Sequence, residues 1–217
     1  MDWWPMRKTL QRLTKRFGVR LQENSCGAKP PKIPSEGAPM VIVCSYDYID
    51  GGVRHAHIFG YYYDNGRTIF VDSGGVSELA YNTRPFDGAP NQLPDKENYP
   101  KWDYPEPDEY LFTTVIQGNY CTCAAWFILG VHLLMVGTSV RDIQDMFCER
   151  TVEFLHPIVL EYVRDYRMSL RNYNGHPNWD IAMCEEAGDV YARVIVALSP
   201  PKPMGRPKNS RSKKKRR

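Results

Sequence analysis

From Ala124 to Val136 the chain runs through 13 residues of which only His132 carries a polar side chain. The segment is apolar all round rather than along one stripe, so a solvated surface cannot accept it. It is also too short to cross a bilayer, which takes about 20 residues. It therefore specifies a buried helix at the centre of a domain, and the rest of the chain has to supply the layers that cover it. At 217 residues, with 14 Tyr and 5 Trp, the chain is long enough for one well-packed domain and too short for two comfortable ones.

The covering layers can be read in order. Residues 5–17 form an amphipathic helix, with Pro5 in its first turn and Met6, Leu10, Leu13 and Phe17 recurring at three- and four-residue steps. Its other face is Arg7, Lys8, Arg12, Lys15 and Arg16, and Trp3 and Trp4 stand in front. That pattern also suits a membrane surface, but a helix docked on the domain with a solvated basic face is the favoured reading. Residues 24–38 are an irregular, Pro-containing connector. Met40-Val41-Ile42-Val43-Cys44 is a continuous apolar run, as in a strand covered on both faces. His55 to Tyr63 is an aromatic-rich strand ending at Asp64-Asn65-Gly66, a hairpin-turn signature, with Thr68 to Asp72 returning. Gly74 to Tyr110 is a long, Pro-rich segment suited to the wall of a substrate groove or to a solvated insertion. Leu111 to Ile116 reads as a further strand. After the central helix, Ser139 caps a short helix over Val140–Phe147, Glu149 to Arg171 is helical despite Pro157, and Asp180 to Leu198 is helical with a break expected at Gly188. The fold class is α+β, a small mixed sheet packed against a central apolar helix and further helices. Three regions follow: a basic helix and connector over 1–38, a main domain over 39–199, and a disordered basic tail over 200–217.

Charge is unevenly spread. Nine of the 28 Lys and Arg lie between Lys202 and Arg217, where there is no acid, so residues 1–201 hold 19 basic against 25 acidic side chains, a net of −6. A mildly acidic body with a cationic tail points to a polyanionic partner. The six cysteines lack the spacing of a disulfide scaffold, no apolar leader follows Met1, and no Asn-x-Ser/Thr sequon occurs. A reducing compartment follows, with Cys26, Cys44, Cys148 and Cys184 as free thiols. Cys121-x-Cys123 has no second Cys/His knuckle, so no metal is assigned.

Two segments carry chemistry. The first runs from Gly51-Gly52-Val53-Arg54-His55 to Val71-Asp72-Ser73, and the second is Gln117-Gly118-Asn119-Tyr120-Cys121-Thr122-Cys123. In order they supply a base, its orienter, an oxyanion donor and a nucleophile, the four parts of a thiol protease. A thiol is activated beside an imidazolium and at a helix N-terminus, and Cys123 immediately precedes the apolar helical run. His55 and Asp72 flank one hairpin whose turn lies about midway, so pairing its strands brings its ends together. His57 is the rival base, on the same face of the strand as His55; the interval to Asp72 favours His55. Cys121 competes with Cys123, and the spacing from Gln117 favours Cys123. Gln117, six residues before Cys123, can donate to an oxyanion together with the Cys123 N–H, and removal of one such donor typically costs about 3–4 kcal/mol of transition-state stabilisation.

The order His…Asp-Ser…Gln-x-Asn-x-x-x-Cys resembles the clan that contains the adenovirus endopeptidase and the SUMO-specific proteases. The 17-residue interval from His55 to Asp72 is similar to that clan's, and the Gln117–Cys123 interval is similar to its SUMO-protease branch. Gly51-Gly52-Val53, Gln117-Gly118 and the compact size resemble the adenovirus branch. The likeness covers residues 40–137. Ala56 stands where the clan usually has Trp, which bears on substrate preference, and Ala124 stands where it usually has Gly. The resemblance implies a viral maturation protease that cleaves capsid or core precursor proteins in the host nucleus and the virion. No cofactor is required for the chemistry; DNA or an activating peptide is the implied stimulator. Two other readings stay open: a protease for SUMO or ubiquitin-like modifiers, and a DNA-binding structural protein on an inactive protease scaffold.

In the tail, Lys202-Pro203-Met204-Gly205-Arg206-Pro207-Lys208 resembles the AT-hook, a minor-groove motif for A·T-rich DNA, with Met204 where a basic residue is usual. The nucleic-acid contacts expected from it are Gly205, Arg206, Pro207 and Lys208. The run that follows (Arg211, Lys213, Lys214, Lys215, Arg216 and Arg217) is a nuclear-localisation or general nucleic-acid signal.

Overall fold

The computed structural model describes residues 3–24, 36–50, 53–75, 106–118, 122–165 and 185–199. Its elements are α1 (Trp3–Phe17), β1 (Arg20–Asn24), β2 (Met40–Asp50), β3 (Val53–Asp64), β4 (Arg67–Val71), β5 (Glu109–Tyr110), α2 (Cys123–Met135), α3 (Val140–Phe147), α4 (Val152–Asp165) and α5 (Glu185–Leu198). The five strands lie in the order β1-β2-β3-β4-β5. The outer pairs β1–β2 and β4–β5 are parallel, while β2–β3 and β3–β4 are antiparallel. This is an α+β fold with a mixed sheet, as the sequence pattern implies.

Alternation along the strands divides the core into two layers. Val41 and Val43 of β2, Ile58 and Tyr62 of β3, and Ile69 and Val71 of β4 join the main cluster with the helices. Met40, Ile42 and Cys44, with Phe59, Tyr61, Tyr63 and Phe70, form a second cluster on the opposite face. The apolar run in β2 is explained by burial on both faces. At the β3–β4 turn Asn65 and Gly66 take positive φ of 50° and 78°, and Asp64 pairs with Arg67 across it. This is the two-residue loop that Asn-Gly favours.

Helix α2 lies at the centre. Every residue from Cys123 to Leu134 is buried, and the helix contacts α1, α3, α4, α5, β3 and β4. Two glycines let it come close to its neighbours. A Cβ at Gly60 would strike the Ile42 carbonyl oxygen and lie 3.0 Å from the Phe127 ring, and one at Gly130 would lie 2.7 Å from a Leu111 methyl and 3.1 Å from Val71. Helix α1 is docked on the domain through buried Met6, Leu10 and Leu13, with Lys8, Arg12, Lys15 and Arg16 exposed. The buried His132 places Nδ1 3.3 Å from the Tyr162 hydroxyl. Burial and nearby Arg16 lower its pKa to about 4, so it is a neutral core histidine near pH 7.

The sequence pattern misjudges the segment before α2. Leu111 to Ile116 is not a strand: Leu111 and Phe112 are both buried although adjacent, and Thr113, Thr114 and Val115 are exposed. The strand is the two residues just before, and beyond it single bonds hold the chain, from Leu111 N–H to the Phe70 carbonyl (2.8 Å) and from Ile116 N–H to the Ser73 carbonyl (2.9 Å). β1 carries no apolar signature and is positioned by its parallel pairing with β2. Ser139 caps α3, its hydroxyl oxygen accepting from the Asp142 N–H at 3.1 Å. α4 begins at Val152 and includes Pro157, and α5 runs through Gly188 without interruption. Residues 166–171 and 180–184, expected to be helical, lie outside the described residues, as do most of Gly74 to Tyr110 and the whole basic tail. Among the described residues no helix is long and apolar enough to cross a membrane.

The two glycines respond differently to substitution. Gly60→Ala meets a backbone carbonyl that cannot turn away, and its destabilisation falls at or above about 1–3 kcal/mol. Gly130→Ala meets side-chain ends that can shift, and gains about 1 kcal/mol of helix propensity. Urea unfolding of both variants should show Gly60→Ala clearly the more damaged.

Candidate active site

The site forms where β4 stops. Val71, its last residue, pairs with Gly60, and one step further along that register Phe59 would face Asp72. Side chains two residues apart share a strand face, so His57 is the diagonal neighbour of Asp72. His55, two residues further, is displaced from Phe59 by about 13 Å along the strand. The structure joins His57 to the carboxylate: Nε2 of His57 is 2.8 Å from Oδ1 of Asp72, with both side chains buried. His55 lies opposite Tyr48 in the β2–β3 ladder, and its side chain lies outside the described residues. The interval read from the clan favours His55, whereas the contact described for Asp72 is with His57.

Asp72 is held from the other side as well, since the Gly74 N–H donates to the same Oδ1 at 2.8 Å. The turn is closed by the Gly75 N–H donating to the Asp72 carbonyl at 3.1 Å. The ring of His57 stacks on Phe59, centroids 6.1 Å apart and 18° from parallel. The side chain that meets Asp72 through Nε2 also bonds to a thiol.

That thiol is Cys123, the first residue of α2. Its Sγ lies 3.8 Å from the Ala56 carbonyl oxygen, and the Ile58 N–H and the His57 side chain also bond to it. Ala56 and Ile58 are two residues apart, so their backbone groups point to the same side of β3, past the end of β4. The sulfur thus occupies the edge that a longer β4 would have covered. Burial acts to raise the Cys123 pKa, but the hydrogen bond and charge of His57 outweigh it, with the Ile58 N–H assisting, and the pKa is lowered. Burial also acts to lower that of His57, and the charge and hydrogen bond of Asp72, with Cys123, raise it well above the ordinary imidazole value. Both shifts act in favour of the thiolate–imidazolium form of the pair over thiol and neutral imidazole. Helix α2 contributes in the same direction, having no acid in its first turn and no capping side chain from Thr122.

Gln117 lies on the loop that leads to α2. Its Oε1 accepts from the Ser73 hydroxyl at 2.7 Å, which joins the Gln117 loop to the turn that carries Asp72. Asn119, Tyr120 and Cys121 lie outside the described residues, as do Gly205, Arg206, Pro207, Lys208 and the basic run after them. Among the described residues no group of three His, Cys, Asp or Glu side chains is placed to hold a metal. Sequence reasoning did not single out the contributions of Ile58, Gly74 and the Ser73 hydroxyl. Backbone donors leave no residue-type signal, but the two-residue turn does carry the count that selects His57. Comparison with protein families, curated proteins and solved structures finds no match.

The depressed thiol and the raised imidazole set a pH window. Alkylation of Cys123 by iodoacetamide should persist below the pH at which an ordinary thiol, with a pKa of about 8.5, loses reactivity. In His57→Gln the main lowering cause is gone and only the Ile58 N–H opposes burial and the Asp72 charge, so alkylation should require a higher pH than in the wild type. His55→Ala should keep the wild-type profile. Rates measured from pH 5 to 10 with adduct mapping decide between the two histidines.

Proposed function

We propose that this chain is a cysteine peptidase with His57 as base, Asp72 as its orienter and Cys123 as nucleophile. The observation that carries the reading is the continuous line from carboxylate to imidazole to thiol, ending at a helix N-terminus. Three roles that arise on three separate elements rarely meet in this order for packing alone.

The chemistry runs in two halves. The Cys123 thiolate attacks a peptide carbonyl and forms the C–S bond, and the carbonyl oxygen becomes an oxyanion. In this reading the Gln117 amide and the Cys123 N–H are the donors that receive it. The tetrahedral adduct collapses, the C–N bond breaks, and imidazolium His57 gives its proton to the departing amine. Neutral His57 then takes a proton from water, which attacks the thioester and releases the acid and the thiol. Asp72 holds the ring beside the sulfur and stabilises its charged form.

The narrower reading rests on the resemblance of the His, Asp, Gln and Cys segments and on the basic tail. It is a viral maturation protease acting on capsid or core precursors in the host nucleus and the virion, with DNA as a stimulating partner through Gly205–Lys208 and Arg211–Arg217. An activating peptide belongs to the same reading, and no cofactor enters the chemistry. The rival substrate class is SUMO or a ubiquitin-like modifier, favoured by Asp72-Ser73 and the Gln117–Cys123 spacing.

The test is cleavage itself. Incubated with a pool of proteome-derived peptides, with and without duplex DNA, the full chain should generate new termini that Cys123→Ala does not. Gln117→Ala should slow cleavage about 10²–10³-fold. Removal of residues 202–217 should abolish stimulation by DNA and leave DNA-free cleavage unchanged. Rapid cleavage of a fluorogenic modifier substrate at low enzyme concentration would replace capsid precursors with modifiers as the substrate class. DNA binding lost with the tail, and no Cys123-dependent cleavage under any condition, would leave a DNA-binding protein on an inactive scaffold.

A further inference from the structure

The proton chemistry above leaves the Ser73 hydroxyl unused, although Ser73 is only 1 % exposed. Its hydroxyl donates to Gln117 Oε1 at 2.7 Å, and its carbonyl accepts from the Ile116 N–H at 2.9 Å. The two loops are in backbone contact at the next turn, where a Cβ on Gly75 would lie 2.7 Å from the Thr114 carbonyl carbon. Ser73 and Gln117 are therefore fixed relative to one another by main chain, and the side-chain bond acts on the amide alone.

A glutamine amide has an acceptor end and a donor end, related by a half-turn about a soft terminal torsion. With Oε1 bound by Ser73, the NH2 end is the one left to face a substrate. Lacking that bond, the amide is free to turn and present its oxygen, which repels an oxyanion instead of stabilising it. Resting on the peptidase reading, we infer that Ser73 is a positioning residue that locks the Gln117 amide with its donor end toward the oxyanion. One dipeptide then serves both halves of the site: Asp72 orients the base and Ser73 orients the oxyanion donor.

Two probes separate this role from a structural one. Iodoacetamide alkylates a thiolate by direct displacement with no oxyanion, while p-nitrophenyl acetate acylates it through one. Ser73→Ala should leave the Cys123 alkylation rate and its pH profile within about twofold of wild type, and should lower acylation by about tenfold, less than the ~10²–10³ expected on removing the donor itself. Ser73→Thr, which keeps the hydroxyl, should restore acylation. In a Gln117→Ala background Ser73→Ala should add nothing. Unchanged acylation in Ser73→Ala, equal loss with both probes, or additive loss in the double variant would each overturn the inference. Rapid alkylation of the wild-type protein without acylation would overturn the role of Ser73 alone. Absence of both would overturn the peptidase reading on which it rests.

Discussion

Burial of α2 is the constraint on which the rest depends. The helix is apolar on all sides, so its whole length must be covered, and α1, α3, α4, α5 and the sheet are the layers that cover it. That requirement sets the depth of Cys123, because the cysteine is the first residue of the helix and cannot reach bulk water independently of it. It is 7 % exposed. In such a place a thiol alone would have its pKa raised, and the neighbouring groups have to reverse that tendency.

They do so without adding charge to the interior. Thiol with neutral imidazole and thiolate with imidazolium carry the same net charge. What changes on proton transfer is only the separation of charge over one hydrogen bond, so local dipoles decide the balance. Asp72 favours the imidazolium. The Ile58 N–H and the free first turn of α2 favour the thiolate. The Gly74 N–H holds the carboxylate that would otherwise depend on His57 alone.

Much of this was legible in the sequence, and the failures have physical causes. The buried helix, the Asn65-Gly66 hairpin, the Ser139 cap and the α+β class follow from periodicity and turn chemistry, which are local. Asp72 and Cys123, singled out by residue type and spacing, both meet His57, and Gln117 meets Ser73. His55 was favoured over His57 as the neighbour of Asp72 because the two share a strand face, so alternation cannot separate them; the pairing register can, and the two-residue turn at Asn65-Gly66 sets that register. Leu111 to Ile116 was read as a strand because its apolar residues are dense, but Leu111 and Phe112 enter the core together around Gly130 and Trp126, which an alternating strand does not permit. β1 had no signal because its pairing with β2 uses backbone groups, and Arg20-Leu21-Gln22-Glu23-Asn24 carries no alternation to betray it.

The early end of β4 is what turns this packing arrangement into a site. Had β4 continued past Val71 in register, its backbone would have taken the edge groups of Ala56 and Ile58 that now meet the sulfur. The chain instead turns at Ser73-Gly74-Gly75, where Gly75 takes a φ of 72° that costs little only in glycine. The turn aims the Asp72 carboxylate back at His57, and it leaves the Ser73 carbonyl and hydroxyl to Ile116 and Gln117. A strand continued in that register to residue 75 would pair both Ile58 and Ala56 and leave no edge for the thiol. Stability of the sheet edge and room for the thiol are therefore opposed at this point, and the open edge of β3 is where the fold gives up the first for the second.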